Sequence, residues 1–203
     1  MSQSRESREN RLGGPPLLVV IRGPIGAGKS TLRRRLANKP PWNLFPLDGD
    51  AVSGHHPPDP TGEWLDQEWD TDIDLLALNA KIILGRGINL VTDTGDLLNP
   101  SKVARFLRHA GRRLADPRVV LLRLRVSTRE AVRRKTTLRP SYVRASHRGW
   151  VTLPIRSEIV IDTDGKSPGE VTEEARRVLR VRSERGSNEE LNLTRRRSPR
   201  AGG

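Results

Sequence analysis

The sequence predicts an α/β fold of three layers, in which a five-stranded parallel sheet lies between helices on both of its faces. Two observations support this fold class. Short apolar segments typical of strands alternate with longer segments typical of helices between residues 17 and 180, a pattern characteristic of parallel strands joined by crossover helices. Residues 17–21 also form an unbroken apolar run after two prolines, as expected of a strand that is buried on both faces.

Five strands and the helices between them can be assigned along the chain. The strands are predicted at residues 17–21, 43–47, 88–91, 118–126 and 155–162. The helices are predicted at residues 31–38, 69–86, 100–107 and 168–180, with a further basic helix that begins near residue 128. In a parallel sheet of this kind, ligands bind at the carboxyl ends of the strands, so we expect the functional site there.

A single domain between two disordered tails is predicted. Residues 1–14 are polar and charged, and residues 183–203 have few apolar residues and no amphipathic period, both of which are typical of disorder. The domain is therefore assigned to residues 15–182, a length that can bury a substantial core. The C-terminal tail is basic, and its arginines at 195–197 are either solvated or in contact with nucleic acid.

The composition indicates an intracellular protein without cysteine chemistry. The chain contains no cysteine, which excludes disulfides, thiolate catalysis and cysteine-bound zinc. No apolar run approaches the roughly 20 residues of a membrane span, and the N-terminus lacks the apolar stretch of a signal peptide. We therefore expect a cytoplasmic protein with no membrane partner. The net charge of +13 suits an anionic ligand, although a compositional bias toward arginine explains part of it equally well.

Residues 23–30 read GPIGAGKS and match the phosphate-binding loop G-x-x-x-x-G-K-[ST] in full. The loop follows the first predicted strand and opens a helix, which is the context that the motif requires. Its glycines allow the main chain to come close to a ligand, so that N–H groups can converge on phosphate oxygens. Lys29 is expected to contact the β- and γ-phosphates, and the Ser30 hydroxyl to bind Mg²⁺. The residues expected to bind the nucleotide phosphates are Gly23, Pro24, Ile25, Gly26, Ala27, Gly28, Lys29, Ser30 and Thr31.

Carboxylates follow the second and third predicted strands at the same edge of the sheet as this loop. The second strand leads into Asp48 and Asp50, and the third leads into Asp93. One such aspartate alone is better explained as a helix cap, but three convergent groups at one edge favour a functional site. Phosphoryl transfer needs such carboxylates, one to help hold Mg²⁺ and one to accept the proton of an attacking hydroxyl group.

Four segments of the sequence resemble the small P-loop kinases. The loop GPIGAGKST is shared with nearly all of them. LDGD at 47–50 resembles a segment of adenylylsulfate kinases, and VTDTGDLLNPSKVARF at 91–106 resembles the Walker-B-like strand and following turn of bacteriophage-type polynucleotide kinases. EIVIDTDGKSPGEVTEEARRVL at 158–179 resembles the closing strand and helix of many such kinases. The resemblance implies a P-loop NTPase three-layer sandwich with a small lid, ATP as phosphate donor and Mg²⁺ as cofactor.

The resemblance also implies roles for the three aspartates. Asp50 matches the carboxylate that approaches the acceptor hydroxyl, and it is expected to be the catalytic base. Asp48 would support Asp50 or the metal ion. Asp93 matches the Walker-B position beside Mg²⁺, so the implied metal-binding residues are Ser30, Asp48 and Asp93.

A lid and a base-binding loop are implied in the same way. The lid corresponds to residues 133–150, where these kinases keep arginines that neutralise the transferring phosphoryl group. The matching residues are Arg133, Arg134 and Arg139. They either face the site or lie on a solvated basic surface. A cluster expected to steer phosphate groups comprises Arg139, Arg144, His147 and Arg148. Gly165 and Lys166 match the loop that borders the adenine ring.

The acceptor is expected to contact a long insert between the second and third strands, at about residues 53–70. Residues 59–74 contain seven acidic residues and no basic one, which argues against a long polyanion and suits a small acceptor. Trp64 and Trp69 either stack on a ring of the acceptor or fasten the insert to the core. The arginines that follow the corresponding aspartates in both kinase groups are absent here, which leaves the identity of the acceptor open.

Three functions are therefore compatible with the sequence. The first is an ATP- and Mg²⁺-dependent phosphotransferase that acts on a hydroxyl group of a nucleoside, nucleotide or other small molecule. The second is a polynucleotide 5′-hydroxyl kinase, which the basic charge favours and the acidic insert disfavours. The third is a regulatory NTP-binding module without an acceptor, which would hydrolyse nucleotide slowly whatever hydroxyl compound is added. The sequence does not indicate the oligomeric state.

Overall fold

Five parallel strands form the central sheet of the protein. A computed structural model describes residues 15–53, 65–93, 100–116, 118–151, 154–155 and 157–197. The strands are β1 (Leu18–Arg22), β2 (Phe45–Asp48), β3 (Leu90–Asp93), β4 (Val119–Arg125) and β5 (Ile159–Asp162). The helices are α1 (Lys29–Leu36), α2 (Gly49–Ser53), α3 (Leu65–Gly85), α4 (Pro100–His109), α5 (Thr128–Arg134), α6 (Pro140–Val151) and α7 (Pro168–Arg197).

The strands are arranged in the order β2-β3-β1-β4-β5, so β1 lies in the middle of the sheet. All five residues of β1 are buried, as its apolar run predicts. The parallel register pairs Ile21 with Asp93 on β3, and Asp93 is paired in turn with Asp48 on β2. The carboxyl ends of β1, β2 and β3 therefore meet at one edge of the sheet, which confirms the predicted convergence of the loop and the aspartates.

Helices cover both faces of the sheet. Successive side chains of β1 point to opposite faces, so each face presents apolar side chains to a different set of helices. Val19 and Ile21 belong to an apolar cluster that includes side chains of α1 and α7. Leu18 and Val20 belong to a second cluster, which includes side chains of α3 and α4. The predicted three-layer α/β sandwich with a five-stranded parallel sheet is thus confirmed.

Two elements near the strand ends differ from the prediction. A short helix, α2, follows β2 directly and carries Asp50 in its first turn, whereas the sequence predicts no helix there. β5 begins later than predicted, at Ile159, because Glu158 and Ile155 are hydrogen-bonded to each other before the strand. The N–H of Glu158 donates to the carbonyl of Ile155 at 3.0 Å, and the N–H of Ile155 donates to Oε2 of Glu158 at 3.0 Å. The side chain of Glu158 therefore closes the turn before the strand starts.

The last helix is longer than the sequence predicts. α7 continues to Arg197, whereas the prediction ends the helix at residue 180 and assigns a disordered tail from residue 183. Residues 181–197 contain five Arg, three Glu and two Leu and no proline, and these good helix formers allow the helix to continue despite Gly186 and the missing amphipathic period. In the described part of the chain, no helix combines the length and the apolar character that a membrane crossing requires.

A buried ion pair lies at the carboxyl end of β1. Arg22 is fully buried, and its Nη1 lies 2.7 Å from Oε1 of Glu158, which is buried as well. Arg123, the neighbour of Arg22 on β4, approaches the other carboxylate oxygen at 3.7 Å. Burial lowers the pKa of Arg22, and the charge of Glu158 opposes this effect. The carboxylate therefore compensates a buried cation placed directly before the phosphate loop.

Replacing Glu158 by alanine is expected to lower the free energy of unfolding by about 3–5 kcal/mol, because the substitution removes the carboxylate that compensates a buried arginine. Urea denaturation measures the loss. Glu173→Ala is the matched control, since Glu173 pairs with Arg176 on the surface of α7, where an ion pair contributes at most about 1 kcal/mol. Equal losses in the two variants would contradict the role given to Glu158.

Candidate functional site

The carboxyl edge of the sheet opens into a cavity of about 870 Å³. Residues 25–31 of the phosphate loop and helix α1 form one part of its wall, and residues of α2, α5 and the segment before α7 form others. The predicted site residues outside the loop that line it are Asp50, Arg133, Arg134, Gly165 and Lys166. The structure therefore brings the proposed base, two of the three lid arginines and the base-binding loop to the phosphate loop.

The phosphate loop takes a course that side chains would obstruct. Gly26 has a φ of +82°, and a Cβ at this position would lie 2.9 Å from Cβ of Ala131 on α5. Gly23 has a φ of +152°, and its Cβ would lie 2.6 Å from the carbonyl oxygen of Leu124 on β4. Both glycines are thus required by close approach of the loop to its neighbours as well as by the backbone angle.

Side chains hold the carbonyl groups of the loop. Lys29 Nζ donates to the carbonyl oxygens of Gly23 and Pro24 at 3.0 and 3.4 Å. From α5, Nη1 of Arg134 donates to the carbonyl oxygen of Gly26 at 3.4 Å. Binding of these carbonyls directs the peptide N–H groups on the opposite side of the loop toward the cavity, although the N–H groups of Ile25 and Ala27 donate to Ser146 and Pro24.

Helix α6 contacts the same loop through Ile25. The N–H of Ile25 donates to Oγ of Ser146 at 3.4 Å, and Nε2 of His147 lies 3.1 Å from the carbonyl oxygen of Ile25. His147 is buried, so the structure does not place it with the exposed residues Arg144 and Arg148, as the predicted phosphate-steering cluster implies. Its contact is with the main chain of the loop.

Asp93 lies behind the phosphate loop and contacts Ser30. Oγ of Ser30 donates to Oδ2 of Asp93 at 2.9 Å. Asp93 is only 2% exposed. Burial raises the pKa of Asp93, and the charge of Arg33, the hydrogen bond from Ser30 and the charge of Lys29 oppose that rise. A carboxylate and a hydroxyl group supply oxygen ligands of the kind that a divalent cation such as Mg²⁺ takes.

The residues present fit the implied Mg²⁺ ion. Mg²⁺ is bound in nucleotide sites by one or two carboxylates together with phosphate oxygens and water, and Ser30 and Asp93 supply oxygens of this kind. Oδ1 of Asp93 is buried beside Nε of Arg33, and within the described segments no group of three or more His, Cys, Asp or Glu side chains could hold a metal ion. An ion here would therefore depend on the phosphates of a nucleotide.

Arg33 joins the two strand-end aspartates, a contact that the sequence analysis does not predict. Nη2 of Arg33 lies 2.5 Å from Oδ2 of Asp48, and Nε lies 2.6 Å from Oδ1 of Asp93. The second contact is an ion pair between two buried charged groups. Asp48 thus contacts Arg33, and Asp93 contacts Ser30. The sequence offers one signal for this contact. Arg33 follows Ser30 by three residues, a spacing that puts the two side chains on one face of α1.

The three lid arginines occupy different environments. Arg133 lines the cavity, is 74% exposed and pairs with Glu130. Arg134 donates to the carbonyl oxygen of Thr163 at 2.6 Å and to Glu130 at 2.8 Å. Hydrogen bonds from both arginines lower the pKa of Glu130 to about 2. Arg139 is exposed before α6 and is not among the described residues that line the cavity.

The base-binding loop follows β5. Gly165 has a φ of +66°, and Nζ of Lys166 lies 2.6 Å from Oε2 of Glu174 on α7. Arg134 links this loop to the phosphate loop, because it donates to both Thr163 and Gly26. Residues 54–64 of the predicted insert, with Trp64, lie outside the described residues, and position 69 lies on α3.

Comparisons with known proteins agree with this architecture. A family model described as AAA domain matches residues 18–148, more than half of the chain. Comparison with curated proteins gives no significant match. The fold is similar to that of a gluconokinase from Sinorhizobium meliloti 1021, with a TM-score of 0.60, 18% identity and coverage of 88% of this chain and 97% of that chain.

Two further solved structures match the predicted resemblance. The APS kinase CysC of Mycobacterium tuberculosis, in complex with AMPPNP and APS, has a TM-score of 0.57 and 17% identity, with coverage of 82% and 98% of the two chains. A chain of the Pnkp1/Rnl/Hen1 RNA repair complex has a TM-score of 0.52 and 14% identity, with coverage of 70% and 46%. The resemblance to P-loop kinases of both groups is therefore confirmed at the level of the fold.

Gly26→Ala is expected to destabilise the protein by about 1–3 kcal/mol more than Gly87→Ala does, because only the new Cβ at position 26 overlaps a packed neighbour. Gly87 is the matched control, since its φ of +77° is similar and a Cβ there meets nothing within 4 Å. Urea denaturation gives both values, and the affinity for ADP should fall in the Gly26 variant alone. Similar losses in both variants would show that the backbone angle, and not contact with Ala131, requires glycine.

Proposed function

The chain belongs to the family described as AAA domain, and we propose that it is an ATP- and Mg²⁺-dependent kinase that transfers the γ-phosphoryl group to a hydroxyl group of a small molecule. The observation that carries this proposal is that Asp50 and the phosphate loop line one cavity. A carboxylate that faces bound phosphates is what a hydroxyl acceptor requires for proton removal, whereas a regulatory nucleotide-binding module has no use for it.

ATP is the proposed phosphate donor. The cavity wall carries six basic side chains and two acidic ones, an excess that suits a polyphosphate. These basic residues are Lys29, Arg34, Arg133, Arg134, Lys135 and Lys166. The structural neighbour from Mycobacterium tuberculosis binds the ATP analogue AMPPNP, which supports the same donor here.

The phosphates are bound by the loop and its flanking residues in this proposal. Main-chain N–H groups of the loop bind phosphate oxygens, and Lys29 neutralises the β- and γ-phosphates. Ser30 and Asp93 hold Mg²⁺, which when bound neutralises charge on the phosphate oxygens. Arg133 exchanges its exposed ion pair with Glu130 for the transferring phosphoryl group, an exchange that costs little because surface ion pairs are weak.

Asp50 is the proposed catalytic base. It accepts the proton of the acceptor hydroxyl while the new O–P bond forms and the bond from the γ-phosphorus to the β–γ bridging oxygen breaks. The electron pair of the broken bond leaves with ADP. The reaction needs no covalent intermediate, because binding brings both reactants into line. Arg134 keeps its contacts with Thr163 and Gly26 and so maintains the shape of the nucleotide site.

A small acceptor is favoured by the charge of the insert. Residues 59–74 carry seven acidic side chains and no basic one. Asp70 and Asp74 pair with Arg105 and Asp72 is buried, and the remaining charges disfavour a long polyanion there. Among the structural neighbours, the gluconokinase and the APS kinase are named for small acceptors. We therefore propose a nucleoside, nucleotide or other hydroxyl-bearing metabolite as the substrate class.

Lys29→Ala is expected to abolish transfer of label from γ-labelled ATP to every acceptor in a pool of nucleosides, sugars, other metabolites and 5′-hydroxyl oligonucleotides.

Asp50→Asn should lower kcat by roughly 10²–10⁴-fold without a comparable loss of ATP affinity, because a general base contributes about that much. Asp116→Asn is the control, since Asp116 lies before β4 at the opposite end of the sheet. Unchanged kcat in the Asp50 variant would remove this residue from the base role.

A polynucleotide 5′-hydroxyl kinase is the second candidate, supported by the net charge of +13 and by the similarity in fold to the RNA repair chain. If the acceptor is a small molecule, log affinity for it should change little with log salt concentration. If the acceptor is a nucleic acid, the slope should be about −0.7 for each phosphate of a single strand that the protein contacts. The two candidates are distinguished by measuring the affinity for the best acceptor at salt concentrations of about 50–300 mM, a range in which this effect is large.

A further inference from the structure

Arg33 is an unusual residue to find under the phosphate loop. Its side chain is only 7% exposed, and burial of a charged group is expensive unless partners compensate it. Its partners are the carboxylates at the ends of β2 and β3, Asp48 and Asp93. The neighbours of Arg33 on α1, Leu32 and Leu36, are apolar and pack in the core, whereas an apolar side chain at position 33 would leave the buried carboxylate of Asp93 without its cation. The buried charge of Arg33 therefore has a role other than packing, which is its contact with the two carboxylates.

The contacts divide the two oxygens of Asp93 between two partners. Oδ1 lies 2.6 Å from Nε of Arg33, and Oδ2 accepts the hydrogen bond from Ser30 at 2.9 Å. The ion pair therefore restrains rotation of the carboxylate and keeps Oδ2 toward Ser30. Asp48 contacts a second nitrogen of the same guanidinium group, Nη2, which fixes the orientation of Arg33 in turn.

We propose that Arg33 is a positioning residue for the Mg²⁺ site, and that Asp48 acts through Arg33 instead of binding the ion. The inference rests on the proposed function, because it concerns the ion that accompanies ATP. It changes the role that the resemblance implies for Asp48. Ser30 and Asp93 remain the residues that hold the ion, and the chain from Asp48 through Arg33 sets the direction of the Asp93 carboxylate. Substitution of a residue that orients a metal ligand commonly lowers metal affinity by about 10–100-fold.

Binding of Mn²⁺ in the presence of saturating ADP tests this proposal without any acceptor or turnover. The amount of free Mn²⁺ is measured by electron paramagnetic resonance for the wild type, R33K, D48N and the double variant. R33K keeps the buried positive charge but cannot contact both carboxylates in the same way. R35K is the matched control, since Arg35 is exposed on the same helix. The affinity for ADP in EDTA and the thermal unfolding curve show that each variant is folded, and R33Q replaces R33K if R33K does not fold.

R33K and D48N are each expected to weaken Mn²⁺ binding by about 10-fold or more, while ADP affinity in EDTA and the R35K control change less than about 2-fold. In the R33K background, D48N should add less than about 2-fold, because residues that act through one another are not additive. Equal losses from D48N in both backgrounds would overturn the proposal and make Asp48 a direct ligand. Unchanged Mn²⁺ affinity in R33K would overturn it as well. A wild-type protein that binds ADP but no Mn²⁺ would instead contradict the proposed function itself.

Discussion

The site depends on one constraint: the phosphate loop must be held firmly while its N–H groups stay available for phosphate oxygens. The structure meets it largely by binding the loop through its carbonyl groups, with the N–H groups of Ile25 and Ala27 as exceptions. Lys29, Arg134 and His147 donate to carbonyls between residues 23 and 26, and each comes from a different helix. The close approach of Gly26 to Ala131 makes α5 part of the same assembly. Because the N–H and C=O of a peptide unit point in opposite directions, binding of the carbonyls directs the amides toward the ligand.

Cations around the loop fall into two groups that differ in burial. Arg22 and Arg33 are buried and are compensated by Glu158, Asp48 and Asp93, so they stabilise the strand ends and keep fixed partners. Arg133 and Lys166 line the cavity with partly or largely exposed side chains. Their ion pairs are weak because water screens them. A polyphosphate can therefore recruit the second group without disturbing the first, which separates nucleotide binding from the stability of the sheet.

The sequence was informative about the fold and the phosphate half of the site because both follow from local patterns. An apolar run, glycines at fixed offsets and strand-end aspartates are visible in one dimension, and parallel pairing brings them together. The contacts of Arg33, Arg134 and His147 were not predictable, since each joins segments distant in the chain and depends on the packing of helices. α2 is too short to show a helical period, and the extension of α7 beyond residue 180 lacks one, so periodicity missed both.

The phosphate loop and the proposed base Asp50 follow strands that occupy different positions in the sheet. The phosphate loop follows β1, which is flanked by a strand on each side and covered by helices on both faces. Asp50 lies on α2, which follows β2 at the edge of the sheet and packs against α3 and β3. An edge strand has one paired neighbour, so its connection can change in length and sequence at less cost to the core than that of a central strand. If the proposed function is correct, substitutions between residues 51 and 70 should therefore alter the choice of acceptor while ATP affinity is retained, because the phosphate loop is supported by the centre of the sheet and not by its edge.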